Sequence, residues 1–323
     1  MASPVECLLS SGPELGTLGP EVASPAKGAA QQEAMRILTV GDGNLSYSLA
    51  LSKHLQRSGI HFKITATTYD THEDLERKYP ASNIAATIEE LENEGHSVLH
   101  AIDARHLDRH FEGQTYDHII FMHPLMPAQE SAFFLMGHGF HFSVFIANRL
   151  MLLRFLKSAI KLFSSEKSAP EPAITITMKD TYPYSWWKIE KLADHVNGLE
   201  FLRKEPWVDV GDDYVSRKVE KDEVFKPTES TSWHFGREEG QTEIGSESKP
   251  SSCSVCDVIC ANEADFLAHV QGKKHRKRAQ MEAEWEVLLR QEQEAKDERT
   301  GVLSKENRGL AGGVGWDRGD SIS

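Results

Sequence analysis

The chain has 323 residues, with 36 basic and 49 acidic side chains and a formal net charge of −13. That length accommodates one large domain or two to three smaller ones, and the acidic balance excludes a protein that coats nucleic acid with its whole surface, though not one with a local basic reader. Four cysteines are too few for a disulfide scaffold, no apolar run reaches a membrane span, and the N-terminus lacks the pattern of a secretory signal, so the expectation is a soluble intracellular protein.

Residues 1–34 are rich in Ser, Pro, Gly and Ala without periodicity and read as a disordered leader, with Cys7 in it. Over 35–237, short apolar runs alternate with helical patterns. Strands are predicted at Ile37–Val40, Lys63–Thr68, Val98–Ile102, His118–Met122 and Ala173–Met178. Helices are predicted around Leu45–Ser58, Leu75–Tyr79, Glu89–Glu94, Asn148–Phe163 and Trp186–Val196. The alternation predicts an α/β fold with a largely parallel sheet and right-handed crossovers. A polar linker follows at 238–250, then a compact unit with metal-ligand spacing at 251–279. The tail, 280–323, is predicted helical and then disordered, with Met281, Trp285, Leu288 and Leu289 on one helix face.

The first strand runs directly into Gly41-Asp42-Gly43-Asn44-Leu45-Ser46. Glycines at a first strand-to-helix turn let a ligand approach the backbone, and the helix N-terminus favours an anionic group. The second strand ends on Asp70, placed to accept hydrogen bonds from ribose hydroxyls, and the third on Asp103, a second carboxylate beside the same crevice. Two classes fit, a nicotinamide enzyme or an S-adenosylmethionine (SAM) methyltransferase. A single GxG with Asp42 inside it, and the further acid after strand three, favour the methyltransferase.

Near the C-terminal end, Cys253-Ser-Val-Cys256 is followed by twelve residues, His269, five more residues and His275. Two thiolates and two imidazoles make the tetrahedral shell that Zn2+ prefers. A single helix cannot carry histidines six apart on one face, so it must end or distort between them, and Gly272 allows that. Phe266 and Leu267 are expected to supply the minimal core, and Cys260 to lie outside the ligand set. His138 and His141 are a weaker start for a second metal site, without further obvious ligands. The run Gly272 to Arg278 sets five cations beside the second histidine, which makes 250–280 the one net-basic segment, five cations against three carboxylates. Such a run binds phosphate and also has the composition of a nuclear-import signal.

Two resemblances follow from these residues. Residues 253–278, with the long histidine spacing and the closing GKKH, resemble the matrin-type Cys2His2 fingers of RNA-binding proteins, which implies contact with structured or double-stranded RNA. The ordered segments VGDGNLSYSLAL, ATTYD, HAIDA, YDHIIFMHP, ANRLMLLRFLKSA and ITMKDTYPYSWWKIEKLA, with the late Tyr214–Lys218, resemble the Rossmann-like domain of the eukaryotic 25S ribosomal RNA (uridine-N3)-methyltransferase family. That resemblance implies that Gly41, Asp42, Gly43, Asn44 and Ser46 cradle the methionine part of SAM, that Asp70 holds the ribose and that Asp103 lies near the adenine. After strand four the family reads Phe-Asn-Phe-Pro-His and then glycine. Here the chain reads Phe121-Met122-His123-Pro124-Leu125, and only Phe121 and Pro124 align.

Catalysis is therefore expected around His123, Pro124 and Lys179, with His123 as the candidate acceptor of the uridine N3 proton. Tyr182, Tyr184, Trp186 and Trp187 are candidates for stacking on a base, Trp187 more naturally for core packing. The resulting expectation is a SAM-dependent RNA methyltransferase acting on ribosomal RNA in the nucleus or nucleolus, with the cytoplasm as the alternative place. The alternative function is a catalytically inactive RNA-binding zinc-finger protein that keeps the methyltransferase fold as a scaffold.

Overall fold

The computed structural model describes residues 33–80, 82–127, 144–164, 171–211, 214–218, 221–224, 229–238 and 252–310. Cys7, His138, His141, the expected leader up to residue 32 and the expected linker from 239 to 250 lie outside them. The chain divides into two compact units, Met1–Glu243 and Ile244–Ser323.

In the first unit the described elements are β1 (Met35–Val40), α1 (Ser46–Arg57), β2 (Phe62–Thr67), α2 (His72–Lys78), α3 (Ile84–Asn93), β3 (Ser97–Leu99), a 3-10 turn (Ala104–His106) and α4 (Leu107–His110). There follow β4 (His118–Met122), α5 (Val144–Leu162), β5 (Ala173–Lys179), two 3-10 helices (Tyr184–Trp187 and Ile189–His195), β6 (Leu199–Pro206), β7 (Arg217–Lys218), β8 (Lys221–Val224) and β9 (Ser230–Arg237). Seven strands form one sheet in the order β3-β2-β1-β4-β5-β9-β6. The first five pair in parallel, and β9 runs antiparallel between β5 and β6. The reversal of order beside β1 opens a crevice at the carboxyl ends of β1 and β4, the usual ligand position in such sheets.

Strands covered on both faces need continuous apolar runs, and β4 shows why. Ile120 belongs to the cluster in which Leu51 and Leu55 of α1 pack with Ile37, Ile64 and Leu91. Its neighbour Phe121 points the other way, with its ring 4.9 Å from that of Phe155 on α5. α5 presents Leu150, Leu152, Leu153, Phe155 and Leu156 to the interior, all fully buried.

Two local expectations are corrected, and two strands had no forecast. The third strand stops at Leu99 because Ala101 takes a left-handed backbone (φ 56°). The helix expected over Trp186–Val196 is two 3-10 helices broken at Lys188, itself left-handed (φ 45°). The antiparallel β6 and β9 carry no apolar run that announces a central strand. β9 interleaves Ser230, Ser232 and His234 with Trp233 and Phe235, and all five are buried.

The sheet also buries imidazoles. His118 is 2% exposed; burial, only partly offset by the Asp117 charge, pushes it down to about 4. The unfolded chain therefore binds a proton below its ordinary value of 6.5 that the folded chain refuses. Stability is full above that value and falls as pH drops from 6.5 toward 4. This site alone is expected to cost about 2 kcal/mol between pH 7 and pH 5. Denaturant unfolding at the two pH values measures it, and His118→Gln should flatten the dependence.

Candidate cofactor cavity and metal centre

β1 leaves the sheet through Gly41, whose left-handed backbone (φ 62°) brings the chain against Phe121; a Cβ there would lie 2.9 Å from that ring. A Cβ on Gly43 would lie 3.0 Å from the Tyr79 hydroxyl. At Gly41 the left-handed backbone and the Phe121 ring together exclude a side chain, while at Gly43 a Cβ would press on the Tyr79 hydroxyl. Asp42 between them donates its backbone N–H to the Thr67 carbonyl (2.9 Å). Its Oδ2 accepts from the backbone N–H and from the hydroxyl of Ser48, both at 2.7 Å. Burial pushes the Asp42 carboxyl up, and these bonds oppose the shift. The carboxylate thus braces the first turn of α1, and Asp42 also lines the cavity.

Asn44 and Ser46 reach a distant segment. The Asn44 amide donates to the Val215 carbonyl (2.9 Å), the Ser46 hydroxyl donates to the same oxygen (3.0 Å), and the Val215 N–H returns a bond to Ser46 Oγ (3.2 Å). The two side chains clasp a strap about 170 residues away in sequence, at 214–217. Tyr214, Ser216 and Arg217 of that strap line the cavity beside Gly41, Asp42, Gly43 and Asn44, whereas Ser46 does not line it.

Asp70 and Asp103 line the same cavity. Each holds a cation that spacing alone did not mark: Lys78 Nζ donates to Asp70 Oδ1 (2.7 Å), and Arg105 grips Asp103 through Nε (2.8 Å) and Nη2 (2.7 Å). Burial pushes the Asp103 carboxyl up, but the bonds and charge of Arg105 outweigh it and hold the group below the usual carboxylate range. Asp70 precedes α2 and Lys78 ends it, so no helical pair spacing marks them and only the fold brings the two together.

At the exit of β4, His123 and Pro124 line the cavity, but Lys179 does not. His123 has a left-handed backbone (φ 46°), a conformation that favours glycine, and its N–H donates to the Thr177 carbonyl (2.7 Å). Burial first, and then the Lys179 charge, push its imidazole down to about 4, so it is neutral at pH 7. Lys179 therefore acts on His123 through its field from the end of β5. Beyond β5, Tyr182 is 62% exposed and its ring lies 5.0 Å from Trp186, which lies 5.9 Å from Phe145 of α5. Trp187 is buried, with Tyr184 edge-on at 5.4 Å.

In the second unit a hairpin of β10 (Ser252–Cys253) and β11 (Val258–Ile259) precedes α6 (Glu263–Gln271) and α7 (Lys273–Leu310). The break at Gly272 separates His269 from His275. The ligand atoms of Cys253, Cys256, His269 and His275 all lie within 4.8 Å of one another, and His275 Nδ1 is 3.5 and 3.6 Å from the two sulfurs. A tetrahedral zinc shell separates its donors by about 3.3–3.8 Å, so the four residues fit Zn2+. His269 Nε2 is buried without a hydrogen-bond partner among the described residues, which suits a nitrogen facing a metal. Cys260 is buried and outside this group. Leu267 is 50% exposed, so it does not supply the expected core; the buried apolar side chains of this unit include Met281, Trp285 and Leu288. Arg278 donates to the Cys256 carbonyl (3.2 Å), which withdraws one of the five cations from solvent.

Residues 38–210 match the family described as rRNA (uridine-N3-)-methyltransferase BTM5-like. The chain belongs to that family. Residues 251–275 match a zinc finger of C2H2 type. An uncharacterized protein of Arabidopsis thaliana is 32% identical over 171 residues, 52% of this chain and 74% of that protein. Among solved structures, a fibrillarin/Nop5p complex is 12% identical over 63% of this chain and 73% of that one (TM-score 0.35). An rRNA methylase from Streptococcus thermophilus is 10% identical over 63% and 88% (TM-score 0.34).

Two outcomes are expected. Replacing Asn44 and Ser46 together by Ala removes the clasp, about 1–3 kcal/mol for two side chains' neutral hydrogen bonds, and should expose the strap to limited proteolysis before the unit melts. Co2+ added to metal-free protein should give a thiolate charge-transfer band that Cys253→Ser weakens; an unchanged band would remove Cys253 from the ligand set.

Proposed function

We propose that this protein is a SAM-dependent RNA methyltransferase acting on uridine N3 of ribosomal RNA in the nucleus, with its zinc finger capturing structured RNA. The observation that carries this reading is the cavity at the carboxyl ends of β1 to β4. It has the glycine turn at one end, with Asp70 and Asp103 on its wall, in a chain of the uridine-N3 family. Gly41 and Gly43 line the cavity, so that backbone rather than side chain faces a ligand there. Asp70 has a second carboxylate oxygen for a ribose hydroxyl beside the one that Lys78 occupies, and Asp103, fixed by Arg105, borders the adenine end.

Bound SAM supplies an electrophilic methyl group on a sulfonium. The protein contributes positioning and exclusion of water. Pro124, buried at the β4 exit, shapes the approach to the cavity. His123, neutral at pH 7, has a ring nitrogen able to take the N3 proton and, being a weak base, to release it quickly to solvent. Tyr182 and Trp186 offer ring faces for a base withdrawn from its stack.

The low basicity of His123 and the altered strand-four exit favour one further reading, an RNA-binding scaffold that retains the fold. Titration calorimetry with SAM, then transfer of a radiolabelled methyl group to total ribosomal RNA, separates the two. The methyltransferase reading expects micromolar binding that Asp70→Ala weakens at least tenfold, and label incorporated at uridine. Binding without transfer supports the scaffold. Absence of SAM binding removes both the cofactor and the reaction.

A further inference from the structure

The cavity wall is laid out by the order of the strands. β1, β2 and β3 are successive neighbours in the sheet, and neighbouring strands lie about 4.8 Å apart. The wall therefore steps from the glycine turn after β1 to Asp70 after β2 and to Asp103 after β3, the last two strand spacings, or about 10 Å, from the first. Under the SAM reading, on which this inference rests, the amino-acid end lies at the turn, the ribose at Asp70 and the base at the third step. Ile102, Asp103, Ala104 and Arg105 line the cavity there, and Ile102 and Ala104 are buried. This segment is pinned to the end of β2. The Ala101 N–H donates to the Asp70 carbonyl (3.1 Å) and the Ile102 N–H to the Thr68 carbonyl (3.0 Å).

A single residue engages the whole Asp103 carboxylate. Oδ1 accepts from the Arg105 backbone N–H (2.9 Å) and from Nε (2.8 Å), while Oδ2 accepts from Nε (3.0 Å) and Nη2 (2.7 Å). A carboxylate offers about four lone-pair sites, and these bonds use them. To accept from the amino group of a purine, Asp103 would have to exchange a bond to a guanidinium, ionised on both sides, for one to a neutral donor, a weaker partner. The same fork of bonds fixes the plane of the guanidinium, and the pairing of the two charges suits a neutral base beside them.

We propose that Arg105, and not Asp103, is the residue that reads the base: its guanidinium plane, held by Asp103, stacks on the purine face, and the purine amino group is left without a carboxylate partner. Stacking uses the plane and not the N–H edge, so Arg105 keeps its bonds to Asp103 while it holds a ligand. Ile102 and Ala104 beside it offer apolar surface to the same flat ring. Asp103 is then a positioning residue, and selectivity for the base comes from its shape more than from its amino group.

The test is titration calorimetry of full-length, zinc-loaded protein with S-adenosylhomocysteine and with its analogue that lacks the 6-amino group. Wild type is expected to bind the two within about threefold of each other, whereas a carboxylate accepting from the amino group would favour the first by about tenfold or more. That comparison needs no variant to fold. Arg105→Ala removes the plane and frees the Asp103 carboxylate. Affinity for S-adenosylhomocysteine should then fall roughly fivefold, and a preference for it over the analogue should appear, which a general loss of order would not create. Arg105→Lys, which keeps the charge without the plane, should not restore the wild-type affinity. A wild-type preference of about tenfold for the amino-bearing ligand would overturn the proposal, as would Arg105→Ala protein that binds as tightly as wild type. Failure of wild type to bind either ligand would instead remove the SAM reading, and this inference with it.

Discussion

A buried carboxylate at the start of the first helix sets the geometry of everything that follows. Asp42 sits between Gly41, where the left-handed backbone and the Phe121 ring leave no room for a side chain, and Gly43, which packs against the Tyr79 hydroxyl, and its oxygen is bound twice by Ser48. Removing a carboxylate from water is tolerable only when such bonds compensate it. Here they do so while fixing the angle at which β1 passes into α1. The Thr39 and Ser48 hydroxyls, 2.7 Å apart, extend the same network into the strand. A turn held this rigidly can present backbone to a ligand without first having to order itself.

From that turn the cavity is assembled by long-range bonds. Asn44 and Ser46 reach across to the strap at 214–217, and Met126 N–H donates to Asn148 Oδ1 (2.8 Å), which ties the β4 exit to α5. The wall is thus closed by segments from three parts of the chain. The acids on it are matched by cations, Asp70 by Lys78 and Asp103 by Arg105. The cavity therefore does not present an uncompensated negative field.

The second unit follows a different logic. Its α6 has no buried residue, and a small apolar interior of this kind is what a metal held by Cys253, Cys256, His269 and His275 would supplement. The long α7 adds the basic residues from Lys273 onward, and Arg278 among them is bound to the ligand loop, so only part of that run is open to phosphate.

Much of this was legible in the sequence. The five parallel strands announce themselves because strands covered on both faces must be apolar throughout, and the zinc ligands because a tetrahedral shell tolerates few spacings. Gly41 is readable because its turn admits no side chain. The tertiary structure alone decided what Asp42, Asn44 and Ser46 do with their polar groups, which cations pair with Asp70 and Asp103, and that His123 is held neutral while Lys179 stands off the cavity wall. It also decided that β9, interleaved with serines and a histidine, runs inside the sheet. Each of these depends on a partner far along the chain or on burial, and a local pattern records neither. Sequence determines which chemistry is on hand at each strand end; packing determines which of those groups are left facing the ligand.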